Sequence, residues 1–148
     1  MKYLLDLVML NGIKLEYTDL SHLERDGDYH HATRTIRLQE GMARRKKKST
    51  LAHELVHAHF GDVPSMFGPV NAKQERRADE LAARFLINFD DYREAEHTRN
   101  GHVESMAFDL DVDDDLVIAY QRMLARIGDD VYLRPRMGFG QWDLKAAA

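Results

Sequence analysis

The sequence predicts a mainly helical α+β fold with a small antiparallel β-ribbon near the N-terminus. Apolar residues recur at helical spacing through most of the chain from about residue 42 onward. Nearer the start, two short segments alternate apolar and polar residues, as half-buried strands do. A length of 148 residues fits one domain. We therefore expect a single domain over residues 1–130, followed by an irregular tail over residues 131–148.

The first part of the chain supplies the ribbon. Residues 3–10 are apolar around most of a short helix or a buried strand, and the pattern leaves the choice open. Residues 13–17 and 33–38 alternate like strands, and residues 26–28 (Asp-Gly-Asp) suggest a turn between them. The two strands are therefore expected to pair antiparallel.

The remainder is predicted to be helical. The first long helix begins at about Met42 and ends at Phe60, with Gly61 placed where a helix C-terminus is usually capped. Further helices are expected over residues 71–87, 89–98, 101–109 and 113–127. The helix over 71–87 should bury one face, composed of Ala78, Leu81, Ala82, Phe85 and Leu86.

Composition excludes several classes of protein. Hydrophobic residues make up 44% of the chain, enough for a core, and the net charge of −4 argues against a surface that is basic throughout. The absence of cysteine excludes disulfides, thiolate metal sites and thiol nucleophiles. Asp6 interrupts the apolar start, so we expect no export signal, and no stretch is long enough for a membrane helix. The expected compartment is the cytoplasm.

The strongest chemical signal is the HExxH motif formed by His53, Glu54 and His57. Histidines four residues apart project from the same face of a helix, so both imidazoles can bind one zinc ion. Glu54 then lies where it can act as general base on a metal-bound water. This arrangement predicts a zinc peptidase site with Glu54 as the catalytic residue.

A catalytic zinc needs a third protein ligand, and its position distinguishes the classes. The metzincin pattern requires glycine and histidine where this chain has Phe60 and Val63, so that class is excluded. A thermolysin-like site takes a glutamate from a second helix, and Glu75 lies in the first turns of such a helix, 18 residues after His57 and across a Pro/Gly loop. Glu80 is the rival ligand, but a helix with Ala78 and Ala82 inside is expected to turn it toward solvent.

Asp79 follows Glu75 by one helical turn. A zinc-bound histidine usually donates its second ring nitrogen to a carboxylate or a carbonyl, which fixes its tautomer. We therefore expect Asp79 to accept a hydrogen bond from His53 or His57.

Residues 49–57 (STLAHELVH), followed by residues 75–87 (ERRADELAARFLI), resemble the ImmA/IrrE family of small zinc metallopeptidases of phages, mobile elements and stress responses. The resemblance covers roughly residues 30–125, although the family often has asparagine where this chain has Asp79. It implies a zincin-like helical core, a zinc cofactor and a location in the bacterial cytoplasm. It also implies that the substrate is a helix-turn-helix transcriptional repressor, whose cleavage derepresses a phage or other mobile element.

Further charged and aromatic residues are candidates for other roles. Five side chains are candidates for stabilising an oxyanion: Tyr29, His30, His31, His97 and His102. His59 should face away from the metal. A basic run precedes the motif and is either a solvated helix end or a docking patch for an acidic surface or DNA: Arg44, Arg45, Lys46, Lys47 and Lys48. An acidic cluster lies further along the chain, without calcium-loop spacing: Asp109, Asp111, Asp113, Asp114 and Asp115.

Two further functions remain as alternatives at this point. The chain could bind a repressor without cleaving it and keep zinc as a structural element, or it could bind nucleic acid through residues 44–48, with affinity that falls as salt rises.

Overall fold

Helices dominate the architecture, which is known from a computed structural model that describes the backbone of residues 1–133 and the side chains of residues 1–127. The helices of this part are α1 (Lys2–Leu10), α2 (Arg44–Phe60), α3 (Gly68–Leu86), α4 (Phe89–Thr98), α5 (Val103–Asp109) and α6 (Asp114–Leu133). The strands are β1 (Lys14–Thr18), β2 (Gly27–His30) and β3 (Thr35–Gln39). The predicted mainly helical α+β fold is confirmed.

The sheet differs from the predicted ribbon. β1 pairs with β3 in parallel, with Leu15 opposite Ile36, and β2 pairs with β3 antiparallel, with Tyr29 opposite Ile36. The strand order is β1-β3-β2. The prediction of an antiparallel pair from residues 13–17 and 33–38 was wrong, because residues 27–30, expected near a turn, form the strand that returns along β3. β2 therefore lies at one edge of the described sheet.

The central helix α2 packs between the sheet and α3. Leu51 and Ala52 are buried on it, while Ile36 and Leu38 of β3 are fully buried beneath it. Gly61 ends the helix with a left-handed backbone, φ 64°, as the sequence predicted. The first segment, left open by its sequence, is the helix α1, which buries Leu4 and Val8.

Helix α3 packs through small residues. Ala78, Ala82 and Ala83 are fully buried. Their small side chains allow α2 and α6 to approach α3 closely. Two predictions for this helix were wrong: Phe85 is about half exposed and stacks on Tyr3, and Glu80 is buried rather than solvated. Glu80 points toward α6, where Arg126 lies 2.8 Å and Arg122 3.5 Å from its carboxylate.

The basic run and the acidic cluster contact each other. Lys48 lies 2.6 Å from Asp111, and the remaining partners are Arg44 with Asp111, Arg45 with Asp114, Lys46 with Asp26 and Lys47 over the ring of Tyr17. Arg44, Arg45 and Lys48 therefore join the start of α2 to the α5–α6 region, whereas Lys46 and Lys47 contact residues of the sheet side. α6 continues past its predicted end at residue 127, and the tail predicted for residues 131–148 lies almost entirely outside the described residues.

No helix within residues 1–133 is both long enough and apolar enough to span a bilayer.

Candidate metal centre

Helix α2 supplies the first two ligand atoms of the candidate centre. His53 and His57 lie one turn apart, and their Nε2 atoms are 3.0 Å from each other. Both side chains are largely buried. Two ring nitrogens that converge in this way can bind one metal ion, which is the arrangement that the HExxH spacing predicts.

Helix α3 supplies a carboxylate to the same point. Glu75 Oε2 lies 3.2 Å from His53 Nε2, and Glu75 Oε1 lies 3.5 Å from His57 Nε2. One ligand atom from each of the three residues falls within 4.8 Å of the other two. His53, His57 and Glu75 can therefore hold a metal ion, whereas Glu80 is directed away from them.

The Nδ1 atom of each histidine contacts a different carboxylate. His53 Nδ1 is 2.9 Å from Asp79 Oδ1, as the one-turn offset from Glu75 predicted. His57 Nδ1 is 2.9 Å from Asp62 Oδ2, a contact that the sequence analysis missed. The signal for it was Gly61, because a left-handed residue after a helix folds the chain back and returns the next side chain to the last turn.

Glu54 is buried beside the two histidines. Burial raises the pKa of its carboxyl from 4.5 to about 7, although the neighbouring His53 and His57 oppose the shift. A carboxylate whose pKa lies near neutrality can both accept and release a proton at pH 7. Burial beside the two histidines therefore makes the Glu54 carboxylate a better proton acceptor than an exposed glutamate.

The donor set fits a divalent cation. Burial lowers the pKa of His53, but hydrogen bonds to Asp79 and Glu75 outweigh it and raise the value to about 10. Burial likewise opposes the rise in the pKa of His57, which its contacts with Glu75 and Asp62 produce. The hydrogen bonds of Glu75 with His53 and His57 in turn hold the pKa of the Glu75 carboxyl well below its usual range. The carboxylates thus favour positive charge at the point where the ligand atoms converge, as a metal site does.

A cleft of about 520 Å³ opens onto this centre. β2 forms one wall of the cleft. It lies so close to α2 that a Cβ added to Gly27 would be only 2.7 Å from Thr50 Cγ2. Tyr29 of β2 is buried and lines the cleft together with Glu54. Asp113 and Asp115 lie at the start of α6, on the same cleft.

The other oxyanion candidates lie elsewhere or serve other contacts. The His31 Nδ1 atom is 3.3 Å from the Tyr29 hydroxyl, and His30 lies 3.5 Å from Asp28. His97 belongs to α4, and His102 caps α5 through Ser105. His59 is exposed on α2 and lines a separate apolar cavity, away from the centre as expected.

Comparison with protein families gives a match that covers the whole centre. The IrrE N-terminal-like domain of peptidase family M78 matches residues 9–113, well over half of the chain. The chain belongs to this family. Searches among curated proteins and solved structures gave no match. Membership confirms the resemblance found in the sequence and gives the M78 domain a metallopeptidase-like role, in agreement with the group formed by His53, His57 and Glu75.

Proposed function

We propose that this M78 domain is a zinc-dependent endopeptidase. The observation that carries the proposal is the buried carboxylate of Glu54 beside the converging ligand atoms of His53, His57 and Glu75. A structural zinc site is closed by four protein ligands, whereas a catalytic site has three and leaves one position for water. The three donors and the adjoining cleft match the catalytic type.

The residues of the chain divide the reaction between them. Zinc, when bound, supplies Lewis acid chemistry that polarises the scissile carbonyl and lowers the pKa of water. Glu54 accepts the proton of the attacking water and delivers it to the departing amine nitrogen. The reaction therefore requires no covalent intermediate with the protein.

Tyr29 is the residue that we assign to the developing oxyanion. Its side chain is buried and lines the cleft that holds Glu54, and its hydroxyl lies 3.3 Å from His31 Nδ1. When His31 donates its Nδ1–H to that oxygen, the hydroxyl proton is left to donate to the substrate. A donor fixed by burial costs little reorganisation when charge develops on the substrate.

For the substrate we propose a helix-turn-helix transcriptional repressor in the bacterial cytoplasm, whose cleavage derepresses a phage or other mobile element. The charge of the cleft supports a basic partner, because Asp113 and Asp115 line it and lie more than 4.0 Å from the cationic side chains described. The nearby Lys46 is paired with Asp26. DNA-binding proteins carry basic surfaces. The basic run of α2, in contrast, is matched by acidic and aromatic side chains of the same chain, which does not favour DNA binding by residues 44–48.

The test is cleavage of a purified repressor encoded next to this chain, followed by mass spectrometry of the products. The zinc-loaded parent should cut the repressor at a defined bond, and Glu54→Gln should bind zinc equally well but fail to cut. Repressor that is released from DNA intact by both proteins would instead indicate a non-proteolytic binding protein with a structural metal.

A further inference from the structure

We infer that Arg77 is a positioning residue that orients His57 through Asp62. The inference rests on the proposed metal site, but it concerns an ion pair outside the ligand set. Arg77 lies on α3 between Glu75 and Asp79, so one helix supplies a ligand and also supports both histidines.

Arg77 holds both oxygens of Asp62. Its Nη2 atom lies 2.5 Å from Asp62 Oδ1 and 2.6 Å from Oδ2. The same Oδ2 accepts the contact from His57 Nδ1 at 2.9 Å. The side chain of Asp62 is only 10% exposed, so water competes little for these oxygens.

The guanidinium itself is fixed in place by α2. The ring of Phe60 lies 3.8 Å from Arg77 Cζ, in cation–π geometry. Arg77 Nε is buried and has no hydrogen-bond partner among the described side chains. An unsatisfied buried N–H is costly to the fold. The contacts that compensate for it are those to Asp62 and Phe60.

The consequence for the metal site concerns the tautomer of His57. An imidazole that donates its Nδ1–H has its lone pair on Nε2, the atom that faces Glu75 and His53. Without Arg77, the Asp62 carboxylate is free to rotate away from Nδ1, and His57 loses the partner that selects this tautomer. His53 does not depend on Arg77, because Asp79 holds its Nδ1.

The experiment measures the Co²⁺ affinity of three proteins by competition with a chelator. They are the parent, Arg77→Gln and the matched control Arg76→Gln. Arg76 is the exposed neighbour of Arg77 on the same helix. Arg77→Gln should bind Co²⁺ about 10–100-fold more weakly than the parent, and Arg76→Gln should match the parent. A double-mutant cycle with Asp62→Ala should show that Arg77→Gln causes little additional loss once Asp62 is absent.

A spectroscopic measurement localises the effect. In the Co²⁺-loaded protein, the Nδ1–H protons of the two histidines should give separate paramagnetically shifted signals. Arg77→Gln should accelerate solvent exchange of the His57 proton and leave that of His53 unchanged. If Arg77→Gln is poorly folded, Arg77→Lys replaces it, and its loss of affinity should be smaller because it keeps the charge.

The outcomes separate the two proposals. If the parent binds neither Co²⁺ nor Zn²⁺, the proposed function fails and this inference fails with it. If the parent binds metal and Arg77→Gln, or its lysine replacement, equals the Arg76→Gln control in affinity and proton exchange, the positioning role is wrong and the metal site stands. Equal acceleration of both histidine protons would also overturn the inference, because it would indicate general loosening of α3.

Discussion

Glu75→Gln and Glu80→Gln should have different effects. The first should weaken metal binding, and the second should lower the stability of the fold. The two residues lie on the same helix and both were candidate ligands, but their surroundings are opposite. The Glu75 side chain is 60% exposed and contacts the two histidines, whereas the Glu80 side chain is 9% exposed and contacts Arg122 and Arg126. Each substitution keeps the shape of the side chain and removes its charge.

The stability change follows from the exposure of the partners. Breaking a fully buried ion pair costs about 3–5 kcal/mol, and exposed pairs contribute about 0–1 kcal/mol. Glu80 is buried but Arg122 and Arg126 are 44% and 57% exposed. We therefore expect Glu80→Gln to cost about 2 kcal/mol, which lowers Tm by about 5–10 °C for a chain of this size. Glu75→Gln should change the stability of the metal-free protein by less than about 1 kcal/mol.

The metal affinities should change in the reverse order. Loss of a direct ligand should exceed the 10–100-fold effect of losing a residue that only orients a ligand, so Glu75→Gln should weaken zinc binding by more than about 100-fold. Glu80→Gln should bind zinc like the parent. Thermal melts of the metal-free proteins and chelator competition provide both measurements. A Glu80→Gln variant that loses zinc while Glu75→Gln retains it would refute the assignment of the third ligand.

Substitutions at four further positions test other parts of the site and fold. Glu54→Gln should retain zinc and reduce hydrolysis by about 10²-fold or more; an unchanged rate would exclude Glu54 as the base. Asp79→Ala should weaken zinc binding by about 10–100-fold and Asp79→Asn by less, because an amide oxygen still accepts from His53; chelator titration tests this, and equal affinity of the alanine variant and the parent would contradict it. Tyr29→Phe should lower kcat by about 10²-fold with the metal content unchanged, and a parent-like kcat would exclude an oxyanion role. Asp111→Asn should lower Tm at pH 7, because hydrogen bonding to Lys48 lowers the pKa of Asp111 in the folded protein. The Tm difference between the parent and the variant should therefore close as the pH falls below 3.8. A Tm difference that persists at low pH would exclude this ion pair as its cause.

The helices and the grouping of the candidate ligands were predictable because their signals are local. Residues four apart on one helix must share a face, so the sequence places His53 and His57 together without knowledge of the fold. Glu75 and Asp79 repeat the same spacing on the next helix. The sequence also locates the glycine that ends α2, since a left-handed C-cap favours glycine.

The remaining features depend on long-range packing that a local pattern does not specify. The alternation in residues 13–17 indicates a strand but carries no information about its direction, and the parallel pairing with β3 depends on β2 occupying the other side. Glu80 was expected in solvent because α6 was not yet placed against α3. Its burial follows from the arginines that α6 brings to it.

The proposed zinc site is tested most directly by the metal content of the purified protein, compared with that of Glu75→Ala and His57→Ala. After dialysis against Zn²⁺ at a concentration near the dissociation constant of the parent site, elemental analysis should find substantial occupancy of one zinc site in the parent and almost none in either variant. A folded parent with no more zinc than the two variants would contradict the claim that His53, His57 and Glu75 form a zinc site.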